Sequence, residues 1–334
     1  MQAEFYMQLA LNKAWQFQGL TYPNPAVGAV VTLHGEILAI EAHQKAGTSH
    51  AEVLALISAY EALSKNPINF DPKDASKAHA FLLGLPSNFF SKCNIYVTLE
   101  PCSHEGKTPS CANLLKSLEL MNVFIGIKDT IDGHSGGASS LKNVTIGILE
   151  NECSVLLEPF FIWQKRAFVL FKLAQTSNGR IATNLNDGYL SSKSSLTHVH
   201  KLRAVCDSLL IGGNTVRVDR PTLDCRFVDA DAPNILIYSK EDNFDRSISL
   251  FSIDKREVNI VGDLDFLEKP SFILVEGGEG MLSVLKEKID WLLIYQTPKL
   301  SANTLTYNTT MNLTFLHTEK KDVDMMIWSK NLGH

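Results

Sequence analysis

The sequence predicts an α/β protein with two domains. Its 334 residues are about twice the roughly 150 residues of a typical domain. Apolar residues make up 45% and charged residues 20%, a globular composition that excludes disordered and collagen-like chains. Strand-like and helix-like segments alternate in two series, as in layered α/β domains. We expect one domain over residues 1–147, a linker over 148–165 and a second domain over 166–334.

Apolar periodicity predicts the elements of the first domain. Residues 3–18 have apolar side chains at helical spacing, and Gly19 ends that helix. The further expected elements are a strand at 26–33, a helix at 50–63, a strand at 93–99, a helix near 110–119 and a strand near 122–127. Residues 64–92 contain three prolines and little periodicity, which predicts a long surface loop.

The second domain contains a further series of short apolar runs. Several of them end in glycine or in polar residues that can open a helix. The expected strands are VLFKLA, SLLIGG, ILIYS, EVNIVG, FILVEGG, WLLIYQTP and the final DVDMMIW, and MLSVLKEK is the expected helix after the glycine run. The linker 148–165 is acidic at first and then aromatic.

Charge and cysteine content exclude several classes of protein. A net charge of −5 argues against a broad nucleic-acid surface but leaves room for a small basic pocket. Six cysteines in so long a chain do not form a disulfide scaffold. The N-terminus does not have the pattern of a signal peptide, and no apolar run reaches the roughly 18 residues of a membrane span. We therefore expect a cytoplasmic protein that binds neither membrane nor nucleic acid.

Four residues carry the clearest chemical pattern. His50 and Glu52 open a predicted helix, and Cys102 and Cys111 lie downstream in TLEPCSHEGKTPSC. One imidazole and two thiolates are ligands that zinc accepts, and three protein ligands leave the fourth tetrahedral position for water. Glu52 is then the candidate catalytic proton shuttle. Two alternatives stay open, a structural zinc site with a fourth ligand and cysteines unrelated to a metal.

The spacing resembles one branch of the zinc deaminases. The general layout is a His-x-Glu motif followed by Pro-Cys and a second cysteine three residues later. Here the second cysteine comes nine residues after the first. The residues Pro101, Cys102, Thr108, Pro109 and Cys111, and the segment Tyr22–Gly28 (YPNPAVG), resemble the deaminase half of bacterial riboflavin-biosynthesis deaminase–reductases.

The resemblance implies substrate contacts in the first domain. By position, Asn24, His43, His104 and Lys107 would hold the ring and the ribose phosphate of the substrate. A lysine and a histidine near the metal could form a small anion pocket. The sequence departs from the family after the deaminase core, where residues 129–133 (DTIDG) replace its Asp-Pro-Asn-Pro stretch.

The second domain resembles the reductase half of the same family. Residues 199–226 (VHKLRAVCDSLLIGGNTVRVDRPTLDCR) match its most distinctive stretch, and 275–280 (VEGGEG) complete it. A strand that runs into a glycine-rich turn and a helix can bring backbone N–H groups to a phosphate. Thr176 and Asn178 replace the serine and aspartate of the family's first turn.

The resemblance also implies residue roles in the second domain. Independently of the resemblance, an arginine side chain can bind a phosphate through two hydrogen bonds. The implied substrate-binding residues are Lys172, Asp187, Arg203, Leu223, Arg226 and Glu276. The implied cofactor-binding residues are Ala174, Tyr189, Thr215, Asp219, Gly278, Glu279, Gly280, Met281, Leu282, Ser283 and Val284.

As a whole, the resemblance implies a bifunctional enzyme. Its first domain would have a cytidine-deaminase-like α/β/α fold, and its second a dihydrofolate-reductase-like α/β fold. With one Zn²⁺, the first would deaminate 2,5-diamino-6-(5-phosphoribosylamino)pyrimidin-4-one. With NADPH, the second would reduce the ribosyl side chain to ribityl. The family tends to form homo-oligomers.

Two other function classes stay open. A nucleic-acid deaminase would share the zinc motif, although the net charge, the cysteine spacing and the second domain argue against it. A salt-dependent affinity for RNA would favour it. A partly non-catalytic protein is the other alternative, because Thr176, Asn178 and residues 129–138 depart from the family pattern.

Overall fold

The computed structural model describes residues 2–104, 106, 108–131, 135–182 and 188–333. The chain divides into two units, Met1–Phe161 and Ile162–His334. Within the described part of the chain, no helix combines the length and the apolar character that a membrane crossing requires.

A five-stranded sheet forms the centre of the first unit. Its strands are β1 (Gly28–Leu33), β2 (Glu36–Ala42), β3 (Cys93–Leu99), β4 (Asn122–Ile127) and β5 (Val144–Ile146). They lie in the order β2-β1-β3-β4-β5. β1 is antiparallel to β2 and β3, whereas β3, β4 and β5 are parallel. The predicted bounds 93–99 and 122–127 are confirmed.

Strand direction brings particular chain ends to one edge of this sheet. Gly28 pairs with Ala42, and Ala29 pairs with Val97. The residues before β1, those after β2 and those after β3 therefore meet at the same edge. Because β3 and β4 are parallel, the carboxyl end of β4 also lies there. Polar residues in these four connections can thus form one site.

Five helices belong to this part of the chain. They are α1 (Gln2–Trp15), α2 (Ala51–Ser64), α3 (Ala75–Leu83), α4 (Cys111–Ser117) and α5 (Glu150–Trp163). The first half of α2 is buried on nearly every side, because it contacts both β1 and β2 as well as α3. Burial of an apolar helix on all faces places it in the core rather than at the surface.

The expectation of a loop over 64–92 is wrong, because α3 lies within it. Asp74 caps the helix by accepting a hydrogen bond from the backbone N–H of Lys77. Ala78 and Leu82 join the core cluster of the first unit. The three prolines flank the nine-residue helix instead of interrupting it, so they gave no reason to exclude it.

The segment expected as a linker, 148–165, is mostly helical. α5 occupies Glu150–Trp163, and Leu157 packs in the core of the first unit. Cys153 is buried against β4, where a Cβ at Gly126 would lie 2.2 Å from its sulfur. Cys153 and Leu157 are therefore buried in the first unit.

An eight-stranded sheet forms the second unit. Its strands are β6 (Ala167–Thr176), β7 (Ser208–Gly212), β8 (Asn234–Tyr238), β9 (Val258–Val261), β10 (Ser271–Glu276), β11 (Trp291–Thr297), β12 (Leu313–Lys321) and β13 (Asp324–Asn331), and its helices are α6 (Lys193–Arg203), α7 (Gly213–Asp219) and α8 (Glu279–Leu285). The strand order is β12-β13-β11-β6-β10-β7-β8-β9. The six strands from β11 to β9 are parallel, which places their carboxyl ends at one edge.

Close packing of α1 on β1 yields a stability prediction. In Gly28→Ala the new methyl carbon would lie 2.0 Å from the carbonyl oxygen of Ala10. Overpacking usually costs about 1–3 kcal/mol, and we expect the free energy of unfolding to fall by that amount. Urea unfolding followed by tryptophan fluorescence, to which the buried Trp15 at the end of α1 contributes, measures this change.

Gly84→Ala is the matched control for this prediction. Its φ is −79°, and the nearest atom to the added Cβ lies at an ordinary 3.4 Å. We expect its stability to match that of the wild type or to exceed it slightly. Equal stabilities for the Gly28→Ala and Gly84→Ala variants would contradict the predicted clash.

Candidate active sites

Three potential metal ligands converge at the edge of the first sheet. His50 immediately precedes α2, Cys102 follows β3, and Cys111 is the first residue of α4. The Nδ1 atom of His50 lies 3.4 Å from the sulfur of Cys111 and 3.7 Å from that of Cys102. All three ligand atoms lie within 4.8 Å of one another. The structure therefore brings together the three residues that the sequence nominated as ligands.

These distances fit a tetrahedral zinc ion. Zinc–nitrogen and zinc–sulfur bonds of about 2.0 and 2.3 Å place nitrogen and sulfur about 3.5 Å apart at the tetrahedral angle. The two measured nitrogen–sulfur distances lie close to this value. A hydrogen bond with the thiol of Cys111, together with the interaction with His50, outweighs burial and lowers the pKa of Cys102 to about 4. A thiolate is the form that binds a metal.

Hydrogen bonds near α4 fix the two cysteines relative to each other. The Ser110 hydroxyl caps α4 by accepting from the backbone N–H of Asn113, and it donates to the carbonyl of Cys102 at 2.9 Å. The backbone N–H of Cys111 lies 3.3 Å from the sulfur of Cys102 and donates to it. The nine-residue spacing thus closes into a loop with both sulfurs on one side.

Thr108 fixes the other nitrogen of the His50 ring. Its hydroxyl oxygen lies 3.1 Å from Nε2 of His50. When Nε2 carries the proton and donates it to Thr108, the lone pair of Nδ1 faces the two sulfurs. A partner of this kind sets the tautomer of a metal-binding histidine. The motif contained Thr108, but the sequence assigned it no role.

Glu52 lies in the first turn of α2 and is only 4% exposed. Burial raises the pKa of its carboxyl group, and the His50 charge opposes this rise only in part. A carboxyl group whose pKa is raised toward neutrality can both accept and return a proton. This geometry fits the predicted role of Glu52 as a proton shuttle beside the ligands.

Of the four predicted substrate contacts in this unit, two lie together. Asn24 and His43 are joined by a 3.1 Å hydrogen bond between Nδ2 and Nε2. Burial lowers the pKa of His43 to about 4, and its ring contacts that of His50 edge-on at 5.3 Å. His104 is exposed, and Lys107 lies outside the described residues.

The sequence pattern did not indicate a buried histidine near this site. His79 of α3 is 4% exposed, and burial followed by the charge of His50 lowers its pKa to about 4. No spacing signal marks it, because it lies in the segment expected to be a loop. The four cysteines outside the motif are all buried: Cys93, Cys153, Cys206 and Cys225.

In the second unit, three predicted substrate residues form one ion-pair cluster. Lys172 and Glu276 are opposite each other in the pairing of β6 with β10, and their charged atoms lie 3.6 Å apart. Arg203 donates to both oxygens of Glu276, at 2.6 and 3.0 Å. The side chains of all three are at most 16% exposed. The Arg203 guanidinium is therefore engaged with a carboxylate.

The two cations determine the charge state of Glu276. Burial alone would raise the pKa of this carboxyl group. The positive charges of Arg203 and Lys172 outweigh burial and lower the pKa to about 2. Glu276 is consequently ionised at neutral pH and holds both cations at the carboxyl edge of the sheet.

The remaining predicted substrate residues of this unit lie in different surroundings. Arg226 donates to the carboxylate of Asp224 at 2.8 Å and is half exposed. Leu223 is buried, has a backbone φ of 54°, and accepts a hydrogen bond from Arg256 through its carbonyl. Asp187 lies outside the described residues. The sequence did not identify Asp224 as the partner of Arg226.

Most of the predicted cofactor residues lie at the two strand-to-helix turns that follow β7 and β10. Ala174 is in β6, Thr215 and Asp219 are in α7 after β7, and residues 278–284 lead from β10 into α8. Tyr189 is 54% exposed and lies 6.5 Å from the ring of Phe227. Parallel pairing places the β6, β7 and β10 ends at one edge.

Glycines allow α8 to pack tightly against these strands. A Cβ added at Gly277 would lie 2.8 Å from Met281, and one added at Gly212 would lie 2.9 Å from it. The close packing therefore requires glycine at both positions. The carboxylate of Glu279 accepts from the backbone N–H of Asn308 at 2.9 Å and from the hydroxyl of Thr309 at 2.8 Å. Glu279 therefore ties the 308–309 segment to the start of α8.

Two known protein families match the chain, one in each unit. Residues 1–127 match the cytidine and deoxycytidylate deaminase zinc-binding region, and residues 167–326 match the RibD C-terminal domain. The chain therefore resembles RibD proteins in both of its units. The expected cofactors, one Zn²⁺ and NADPH, are those of the matched RibD domains.

Curated RibD proteins are similar to much of the chain. The riboflavin biosynthesis protein RibD of Aquifex aeolicus is 36% identical over 240 residues, which cover 70% of this chain and 60% of that protein. For RibD of Actinobacillus pleuropneumoniae the identity is 35% and the shares are 68% and 56%. The chain thus spans less than two thirds of these relatives. RibD of Corynebacterium ammoniagenes is 26% identical over 88% of this chain and 85% of its own length.

Solved RibD structures share the fold over almost the whole chain. Acinetobacter baumannii RibD has a TM-score of 0.67 at 22% identity, and 99% of each chain is covered. A deaminase/reductase from Thermotoga maritima has a TM-score of 0.65 at 24% identity and the same coverage. The predicted fold class, a cytidine-deaminase-like domain followed by a dihydrofolate-reductase-like domain, is confirmed.

The Thr108–His50 contact yields a prediction for zinc affinity. Thr108→Val removes the hydroxyl that bonds Nε2 of His50, so the ring loses its fixed tautomer. We expect zinc binding to weaken about 10- to 100-fold, the usual cost of removing such a partner. Titration of the metal-free protein with zinc in competition with a chromophoric chelator measures the dissociation constant.

Thr108→Ser is the control, because it keeps the hydroxyl. We expect its zinc affinity to stay close to that of the wild type. If Thr108→Val binds zinc as tightly as Thr108→Ser, the hydroxyl does not orient the ligand.

The Glu276 cluster yields a pH prediction. Its folded pKa of about 2 lies below the ordinary 4.5, so the ionised form favours folding. This contribution is fully present above about pH 4.5 and is lost as the pH falls toward 2; it amounts to about 3 kcal/mol. Urea unfolding across this range, followed by tryptophan fluorescence, measures it.

Two variants frame the measurement on Glu276. Glu276→Gln leaves two buried cations without their carboxylate, and we expect it to lower the free energy of unfolding at neutral pH. Its stability should then depend less on pH below 4.5 than that of the wild type. Glu241→Gln, at a side chain that is 74% exposed, should behave as the wild type does. Parallel pH curves for the wild type and Glu276→Gln would contradict the assignment.

Proposed function

We propose that this protein is a bifunctional enzyme of riboflavin biosynthesis. Its first unit deaminates 2,5-diamino-6-(5-phosphoribosylamino)pyrimidin-4-one to 5-amino-6-(5-phosphoribosylamino)uracil. Its second unit reduces the ribosyl side chain of that product to ribityl with NADPH. The observation that carries the proposal is the buried Glu52 beside His50, Cys102 and Cys111. The similar Thermotoga maritima protein is described as a deaminase and reductase for these two steps.

The deamination needs a ligand set and a proton carrier. His50, Cys102 and Cys111 would hold zinc, which, when bound, supplies the Lewis acidity that makes water nucleophilic at neutral pH. Glu52 accepts the proton that water loses as its oxygen bonds the amino-bearing carbon. It delivers this proton to the ring nitrogen, then takes the remaining proton from the newly added hydroxyl group and delivers it to the amino group, which departs as ammonia. The carbon–nitrogen bond breaks, and the products are the uracil and ammonia.

Substrate placement in the first unit falls to the surrounding polar residues. Asn24 and His43 lie at the ends of the strands that border the ligands. We assign Asn24, His104 and Lys107 to the pyrimidine ring and the ribose phosphate, and His43 to the same site through its hydrogen bond with Asn24. A charge-assisted contact from Lys107 would give a net acidic protein a local site for phosphate.

The reduction needs correct alignment more than a strong acid. NADPH, when bound, would supply a hydride to C1′ of the ring-opened sugar, which is joined to the amino nitrogen as an imine, and that nitrogen would take up a proton from water. The ion-pair cluster of Lys172, Arg203 and Glu276 lies at the carboxyl edge of the sheet. There it would hold the sugar in line with the cofactor. Arg226 would contact the phosphate. The turns at 212–219 and 277–284 would hold the cofactor.

Assembly and location complete the proposal. We expect a homo-oligomer in the cytoplasm, with a small phosphorylated pyrimidine as the substrate and no nucleic-acid or membrane partner. Sedimentation of the purified protein measures the assembly.

A coupled assay tests both activities in one tube. The protein is supplied with the diaminopyrimidinone ribotide, zinc and NADPH, and ammonia release and NADPH oxidation are recorded together. We expect the wild type to release ammonia and then to oxidise NADPH. In Glu52→Ala the ammonia rate should fall by about 10²–10⁴-fold, because a general acid–base is lost.

Pre-deaminated substrate is the control for the second unit. It should restore NADPH oxidation in Glu52→Ala to the wild-type rate. Ammonia release without NADPH oxidation would contradict the proposed reductase. The absence of both signals in zinc-loaded wild type would contradict the substrate assignment.

A further inference from the structure

The segment between α2 and α3 is hydrogen-bonded to the residue that precedes the ligand His50. Ser49 is fully buried. Its hydroxyl donates to the carbonyl of Pro72 at 2.6 Å, and its backbone N–H donates to the carbonyl of Lys73 at 3.1 Å. Residues 72–73 therefore hold both donor groups of a residue at the edge of the deaminase site.

These two carbonyls are themselves anchored. Asp74, the next residue, caps α3, and α3 packs against α2 and α4. Ala78 and Leu82 of α3 belong to the core cluster of the unit. The 72–73 segment thus has a fixed position relative to the helices that carry Glu52 and Cys111.

The carbonyl oxygen of Ser49 connects this fixed segment to His43 through a hydrogen bond. It lies 3.1 Å from Nδ1 of His43, and a carbonyl can only accept, so Nδ1 carries the proton. In the neutral ring Nε2 is then an acceptor, and it bonds the side-chain NH₂ of Asn24 at 3.1 Å. A single tautomer of His43 satisfies both contacts.

This arrangement separates the roles of His43 and Asn24. His43 is 2% exposed, and both of its ring nitrogens are used within the protein. Asn24 is half-buried, and its backbone is held by two hydrogen bonds with Thr21. Since the NH₂ of Asn24 is turned to His43, its amide oxygen is directed away from that ring.

We propose that Ser49 and His43 are positioning residues. Through their hydrogen bonds, the position of residues 72–73 determines where the Asn24 side chain lies. Asn24 then presents its amide oxygen as an acceptor for an N–H or O–H group of the substrate. The segment between α2 and β3 is therefore part of the deaminase site. This inference rests on the proposed deamination and adds the direction of one substrate hydrogen bond.

A double-mutant cycle separates positioning from direct contact. His43→Phe keeps an aromatic ring against His50 but removes both hydrogen bonds, and Asn24→Ala removes the acceptor. We expect each change to raise the deaminase KM by roughly tenfold with little change in kcat. Because both act through one contact, the double variant should also show a rise of roughly tenfold. A rise of roughly 100-fold would mean independent contacts and would overturn the proposal.

Ser49→Ala tests the link to residues 72–73. It deletes the hydroxyl bond to Pro72, and we expect the deaminase KM to rise about threefold. In the Asn24→Ala background the same change should have no further effect. Thr48→Ala is the matched control, because the neighbouring Thr48 hydroxyl also bonds a backbone carbonyl, that of Lys45. It should leave KM unchanged. Equal KM values for Ser49→Ala and Thr48→Ala would overturn the link.

Two further measurements distinguish a failure of this inference from misfolding and from a failure of the proposed deamination. Reductase KM and zinc content should be unchanged in every variant, which excludes general misfolding. If the wild type releases no ammonia, the proposed function fails. The imidazole ¹⁵N spectrum of His43 still tests the hydrogen-bond chain from Ser49 through His43 to Asn24. Protonation at Nδ1 supports it, and protonation at Nε2 overturns it.

Discussion

Strand direction is the constraint on which the first site depends. The antiparallel pairing of β1 with β2 and β3 brings the chain before Gly28, after Ala42 and after Leu99 to one edge of the sheet. The three candidate ligands meet because these chain ends lie at one edge and because a buried helix begins there. His50 comes one residue before that helix, α2. The same edge receives the carboxyl end of β4. A slip of one residue in β1–β3 pairing would turn every side chain of β1 to the opposite face.

Strand pairing also determines the chemistry of the second unit. Lys172 and Glu276 face each other because β6 and β10 are parallel and in register, and Arg203 reaches Glu276 from the end of α6. The sequence-based hypothesis gave Arg203 to a phosphate, yet its guanidinium forms two hydrogen bonds with a carboxylate 73 residues away. Charged groups held so tightly lose little conformational freedom when a substrate binds.

The sequence predicted most strands and the ligand residues, for different physical reasons. The strands 93–99 and 122–127 were located at their true bounds because buried strands are continuous apolar runs between breaker residues. β12 was missed because its sequence, LTFLHTEKK, is largely polar and half exposed at the edge of the sheet. The candidate zinc ligands could be selected from the sequence because few residue types bind zinc. Contacts such as Ser49 with Pro72 join distant positions through common polar groups, and no local pattern marks them.

The helix α5 has a consequence for how the two units could be separated. Leu157 fills the core of the first unit, whereas Trp163, six residues later, contacts the rings of Phe168 and Phe272 in the second. A gene split placed early in the helix would strip apolar side chains from the first product, and a late split would strip them from the second. Independent expression of either half would therefore tolerate only a narrow choice of cut position, near residues 161 and 162.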